Sequence, residues 1–239
     1  MSKQLMVCLV LVAVLGDQFM QIECGGGGGL FDKAMGAMTQ VNKKDESGRA
    51  ALHLAAESGN LKDVKKLIVR GAEVDLTDNH QRKPLHLAAM NGSKDVVEFL
   101  ITKGANVNSE DYLHQTPLHL ATENGRKDVA KKLISNGAKV DVKDYGNRTA
   151  LHLAAKNGHK DVAKLCIDKG ANVDSENKLK MTPLHYAVMK GHKDVVELLI
   201  KYKANVNLKA HGRTPLNYAI SNGHTDISKL LKDNGAVHH

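Results

Sequence analysis

From Leu52 to Leu231 the apolar residues alternate between two patterns. One is a compact cluster of the form LHLAA; the other is an amphipathic stretch such as KDVVEFLI (Lys94 to Ile101). In the second, Val96, Val97, Leu100 and Ile101 share one face at helical spacing, which predicts a short helix with a polar outer side. The clusters are strictly spaced. Leu52, Leu85, Leu118, Leu151 and Leu184 stand 33 residues apart, and Leu216 follows after 32. Around them the chain reads AALHLAA, KPLHLAA, TPLHLAT, TALHLAA, TPLHYAV and TPLNYAI. Seven residues after each leucine comes Gly59, Gly92, Gly125, Gly158, Gly191 or Gly223, and twelve further on Gly71, Gly104, Gly137, Gly170, Lys203 or Gly235.

Every proline, Pro84, Pro117, Pro183 and Pro215, follows the position that caps a helix, where a missing N–H removes nothing. Thr116, Thr149, Thr182 and Thr214 are expected to act as N-caps by accepting from first-turn amides. The glycine seven residues on can take a positive φ and end the helix. A second helix, a Gly-Ala stop and an extended turn complete a unit too small to bury its own apolar faces, so the units must stack.

The T-P-L-H-x-A stretch at a 33-residue period resembles the signature of the ankyrin-repeat family, over Ser47 to Ala236. The resemblance implies an all-α solenoid of helix-turn-helix units with projecting β-turn fingers. The six repeats fall at 47–76, 80–109, 113–142, 146–175, 179–208 and 211–239. Residues 30–44 read as an N-terminal half-repeat. Leu30, Phe31, Ala34, Met35 and Met38 form its amphipathic helix, and Val41, Asn42 and Asp45 stand 33 residues before Val74, Asp75 and Asp78. A membrane-active helix is the rival reading, and its charge is too low. Three departures stand out: Ala50–Ala51 replace Thr-Pro, Lys203 replaces a helix-ending glycine, and the fifth-to-sixth connection is one residue short.

Leu5 to Leu15 is an unbroken apolar run, too short for the ~30 Å hydrocarbon core. With Lys3 before it and Gly16-Asp17-Gln18 after it, residues 1–24 read as a secretory signal peptide rather than a buried first helix. The cut falls between residues 16 and 17 or later, near Ile22 and Cys24; Glu23 argues against a lipoprotein signal. Gly25 to Gly29 form a flexible joint, and without a following Lys-Ser/Thr pair they are no P-loop.

The chain has 34 Lys+Arg against 26 Asp+Glu, a formal +8, and aromatic residues make up only 3%. Twenty-eight of the basic residues are Lys and six Arg. Scarce Arg forks and stacking rings argue against nucleic acid, and the charge fits an acidic protein or anionic surface. Lys127, Lys131, Lys132, Lys160 and Lys164 on second helices read as a solvated outer face. A monomer without stable membrane insertion is expected.

His53, His86, His119, His152 and His185 recur on successive units roughly 10 Å apart, whereas ligands of one zinc lie within about 2.1 Å of it. They cannot share an ion, and the resemblance implies that they hydrogen-bond locally and tie neighbouring units together. His159–Asp161 and His192–Asp194 are two apart and share no helix face, so no catalytic dyad follows. Cys166 reads as a partly buried structural thiol; with Cys8 and Cys24 it makes no multi-bridge scaffold. No catalytic, cofactor or metal motif is legible, so the chain is expected to be no enzyme.

The resemblance implies binding through the fingers and the adjoining first-helix surface. There Tyr112, Leu113, Tyr145, Leu179 and Met181 are larger or more apolar than an exposed turn requires. Arg82, Arg148 and Arg213 flank them, and Met90, Met189 and Lys190 line the same groove. Asn91-Gly92-Ser93 and Asn147-Arg148-Thr149 match the N-glycosylation pattern. The expected function is non-catalytic protein binding by a secreted protein, such as an effector, venom or saliva component. The alternative is an intracellular scaffold or inhibitor of a signalling or transcription factor. Its weakness is the basic charge, which would repel a basic localisation segment.

Overall fold

The structure, a computed structural model, describes residues 40–237. The signal-peptide run, the glycine joint, residues 30–39 of the half-repeat and His238–His239 lie outside the described residues. Within them twelve helices pair into six units: α1 (Ala51–Glu57) with α2 (Leu61–Val69), α3 (Pro84–Asn91) with α4 (Lys94–Thr102), and α5 (Pro117–Glu123) with α6 (Lys127–Ser135). Then come α7 (Ala150–Lys156) with α8 (Lys160–Asp168), α9 (Pro183–Met189) with α10 (Lys193–Lys201), and α11 (Pro215–Ser221) with α12 (Thr225–Asp233). The fold is an all-α repeat solenoid.

The two helices of a unit are buried differently, and the sequence shows why. A first helix lies between the first helices of both neighbours, so α3 buries every residue from Pro84 to Ala89. Its alanines let the helices approach closely. A second helix buries one stripe, Val96, Val97 and Leu100 in α4, and keeps its polar side in water. The stripes merge into one core running from Leu52 to Leu231. Cys166 belongs to that core. It is fully buried, not partly, in register with Leu100, Leu133 and Leu199, and burial pushes its thiol up to about 12.

The N-caps work in the reverse sense to the expected one. The histidine at the third helical position reaches back, and its Nδ1 accepts from the cap residue's backbone N–H: Thr116 at 3.1 Å, Thr149 at 3.0 Å, Thr182 at 3.1 Å. The threonine hydroxyls lie 2.9 Å from the same nitrogens and so donate to them rather than accept from the helix. Only Thr214, where Asn217 replaces histidine, accepts a first-turn amide, at 3.3 Å. An imidazole nitrogen aimed at the cap is the better acceptor and captures both donors.

Since Nδ1 accepts, the proton sits on Nε2, which donates to a carbonyl of the next unit. His53 reaches Arg82 at 3.1 Å, His86 Gln115 at 3.2 Å, His119 Arg148 at 3.2 Å and His152 Met181 at 3.1 Å. These rings are buried, which disfavours the imidazolium and lowers all their pKa values; His152 and His185 fall to about 4. The inter-unit tie thus holds for four of the five. His185 Nε2 faces the Arg213 and Leu208 carbonyls of the following, shorter finger but meets neither in hydrogen-bonding geometry.

Second-helix N-caps tie the units again. The His159 and His192 rings donate to the carbonyls of Glu123 (3.0 Å) and Lys156 (3.1 Å) of the preceding unit. Gly158 shows the requirement at that joint: its φ is +73°, and a Cβ would come 2.7 Å from the His192 ring. Residues 41–45 follow the same plan. Val41 packs on the core, and Asn42 accepts from the Glu73 amide at 2.9 Å, as Asn108 does from Lys139.

Candidate functional site

Each finger tip from the second unit to the fifth is closed by its own first side chain. Asp78 Oδ1 accepts from the amides of His80 (2.8 Å) and Arg82 (2.9 Å), and the Arg82 guanidinium meets Oδ2 at 2.8 Å. Asp144 repeats this with Gly146 and Arg148. Asp111 and Asn177 accept the same two amides but lack the arginine. Burial pushes the Asp78 carboxyl up. The Arg82 amide and guanidinium together with the His80 amide outweigh that and hold it below the usual carboxylate range. The fourth tip residue turns left-handed: φ is 58° at Gln81, 56° at His114, 58° at Asn147 and 59° at Lys180.

Successive tips are joined backbone to backbone. Tyr112 N–H donates to the His80 carbonyl at 3.0 Å, Tyr145 to Leu113 at 2.8 Å and Lys178 to Gly146 at 3.0 Å. This ladder brings residues a full repeat apart side by side. Of the eight exposed large hydrophobic side chains among the described residues, Tyr112, Leu113, Tyr145 and Leu179 stand on three consecutive tips. The His80 ring lies 5.5 Å from that of Tyr112, and Lys178 Nζ sits 3.9 Å above Tyr145. The result is one stripe of apolar side chains with the His80 ring and the Lys178 ammonium beside its tyrosines. Tyr145, 65% exposed, is the most open of its apolar members.

Several expected contact residues lie elsewhere. Met181 is 6% exposed; its side chain packs inward and its carbonyl receives His152, so it offers a partner no surface. Arg82 and Arg148 are half-buried and bound to Asp78 and Asp144, which makes them braces of the tips. Arg213 is exposed, 5.9 Å from the Tyr218 ring. Met90 and Met189 are half-buried at the groove, and their carbonyls accept from Arg126 and Asn222 of the next unit. Lys190 is exposed. His80 and Lys178 belong to the stripe and escaped the sequence reading, although each stands one repeat from a residue it singled out. Asn91 is exposed, with its amide on Ser93 Oγ at 2.9 Å. Asn147 sits in a left-handed tip, and the Thr149 of its triplet is fully buried against His152.

Among the described residues no group of three or more His, Cys, Asp or Glu could hold a metal ion, and no helix is long and apolar enough to cross a membrane. A family model described as ankyrin repeats (3 copies) matches residues 28–111, 52–144, 109–177 and 151–239. The chain belongs to the ankyrin-repeat family. Among solved structures, the crystal structure of the human ASB11 ankyrin repeat domain is similar, with a TM-score of 0.76 and 30% identity over 79% of this chain and 85% of that one. No curated protein sequence matches the chain. As an ankyrin-repeat protein it is a protein–protein interaction module, and the stripe on its fingers is the surface best suited to that role.

Proposed function

We propose that this ankyrin-repeat protein is a non-catalytic binder that holds a macromolecular partner along its finger tips and the adjoining first-helix ends, and that it does so outside the cell. The observation that carries the binding surface is the stripe His80, Tyr112, Leu113, Tyr145, Lys178 and Leu179, held in line by the backbone ladder. Rigid aromatic side chains give large contact area at small entropic cost, and such residues dominate interface energies. The Lys178 ammonium over Tyr145 favours a partner surface that is apolar with an acidic rim.

The test compares proteins captured by the wild type with those captured by the Tyr112→Ala, Leu113→Ala, Tyr145→Ala variant. The expected result is loss of the partner, a weakening of about 100-fold or more. An unchanged set of captured proteins rejects the surface. The extracellular placement rests on the run Leu5 to Leu15. N-terminal sequencing of the native protein tests it, and an intact Met1 to Leu15 rejects it. On a secretory route the open Asn91 triplet is expected to carry a glycan, read as a glycosidase-sensitive mass shift that Asn91→Gln removes.

A further inference from the structure

The positive charge of this protein is concentrated on one part of its back. With their cap residues, the second helices α2, α4 and α6 carry ten Lys and Arg against four Asp and Glu, a net of six positive charges. The equivalent segments of α8, α10 and α12 carry seven against six, so the excess is local and not a property of the repeat. In α2 the exposed cations are Lys62, Lys65, Lys66 and Arg70; in α6 they include Lys127 and Lys131. The acidic groups on this face are Asp63, Asp95, Glu98 and Asp128. Glu98 is neutralised by Lys132 at 2.8 Å, while Lys127 leans to Asp161 at 3.2 Å. Between α2 and α6 lies Phe99, with Lys65 Nζ 5.7 Å and Lys103 Nζ 5.5 Å from its ring centre.

We infer that this face binds a linear sulfated polysaccharide laid across α2, α4 and α6. Charge complementarity supports an anionic ligand, and the arrangement selects its kind. Arg70 recurs as Lys103 and Lys94 as Lys127 one unit on, at intervals of roughly 10 Å, and Lys65 and Lys66 recur as Lys131 and Lys132 two units on, with Glu98 and Phe99 at the same positions of α4 between them. A ligand crossing the stack meets them in turn. The first helices pack on one another more closely than the second helices do, so this face is convex. A flexible chain can follow a convex face; a flat bilayer touches only its crest. Val69 is the one exposed large hydrophobic on these three helices, too little to anchor in lipid. Eight of the ten cations are Lys, point charges without the fork that reads base edges, and Phe99 lies beneath two ammonium groups, closed to base stacking. Many separate sulfates on a chain suit such a row. The surface is distinct from the fingers, so its test is independent of theirs. Only the place where the protein would meet such a chain rests on the extracellular reading above.

The experiment measures binding of a fluorescent heparin oligosaccharide to the full chain by anisotropy, as a function of NaCl. The Lys65→Glu, Lys66→Glu, Lys131→Glu variant is compared with Lys201→Glu, Lys229→Glu, Lys232→Glu, which changes net charge equally on the other half of the back. The first is expected to weaken binding about 100-fold near physiological salt and to lower the slope of log Kd against log salt by about two to three. The second is expected to change Kd by less than about 3-fold. Alanine at the same three positions, which keeps helix propensity, is expected to act in the same direction with an unchanged circular dichroism spectrum. Equal losses in both triple variants would show attraction by net charge alone and overturn the site. Equal or tighter binding to anionic phospholipid vesicles or to duplex DNA, lost in the same variant, would overturn the polysaccharide assignment.

Discussion

At the scale of single residues, the repeated histidine is the most informative side chain. One ring accepts a cap amide through Nδ1 and donates across the unit boundary through Nε2, so it must stay neutral. His53, His86, His119, His152 and His185 all have pKa values lowered by burial. An unfolded histidine takes up its proton near 6.5, whereas a folded one resists until about 4 at His152 and His185. The unfolded chain therefore binds more protons in that window, and stability falls as pH drops through it. Each histidine contributes up to about 1.4 kcal/mol per pH unit. Urea unfolding between pH 7 and 4 is expected to show a steep, multi-proton loss. His119→Asn, which copies the arrangement at Asn217, keeps an acceptor for the cap amide but gives up the bond to Arg148. It is expected to cost about 1–2 kcal/mol and to flatten the pH slope by one proton. Backbone strain is also legible at this scale. Lys203 has φ +66° where other units place glycine, and Lys203→Gly is expected to stabilise by about 1 kcal/mol in thermal unfolding.

Among the elements, the last finger differs from the rest. The others close a tip around Asp or Asn. The sixth unit's tip has lost one residue, and Ala210 replaces the acceptor. Ala210 and Arg213 exchange backbone bonds of 2.9 and 3.0 Å around His211 and Gly212, both at positive φ. That is a two-residue hairpin turn, which needs no side-chain acceptor. Two consequences gather at one joint, where the backbone ladder stops after Lys178 and His185 Nε2 is left unpaired; Lys203, strained at a helix end that is left-handed in the other units too, lies just before it. Amide exchange is expected to be at least about tenfold faster in α11 and α12 than in α5 and α6. A full-length finger, with Ala210→Asp and one residue inserted after His211, is expected to narrow that gap.

Over the whole molecule, stability is shared between neighbours, so position along the stack sets the cost of a substitution. Leu118 is buried between units on both sides, and Leu118→Ala is expected to cost about 2–5 kcal/mol. Leu230 is only half-buried on the last helix, and Leu230→Ala is expected to cost under about 1.5 kcal/mol in the same denaturant titration. The repeat itself was legible in the sequence because its determinants are local. Helix pairs follow from the apolar spacing, starts from proline, stops from glycine, and the short fifth-to-sixth connection from a missing residue. Tyr112, Leu113, Tyr145 and Leu179 were legible because large apolar residues in a turn stand out. Met181 misled for the same reason: apolarity alone does not say which way a turn residue points. Arg82 and Arg148 misled because their buried partners lie four residues back, and only the closed tip joins them.

The sequence by itself thus determined the architecture and the number of units, consequences of short-range patterns repeated often enough to be unambiguous, while the structural role of the histidines followed only from the resemblance to the ankyrin-repeat family. The tertiary structure alone decided which tip residues face water, how His80 and Lys178 join tyrosines a repeat away, that the caps run from histidine to backbone, and that the lysines of α2 and α6 share one face. Those outcomes depend on contacts between units, where residues about 33 apart in the chain come within bonding distance, and no local pattern records the direction in which a side chain meets its neighbour.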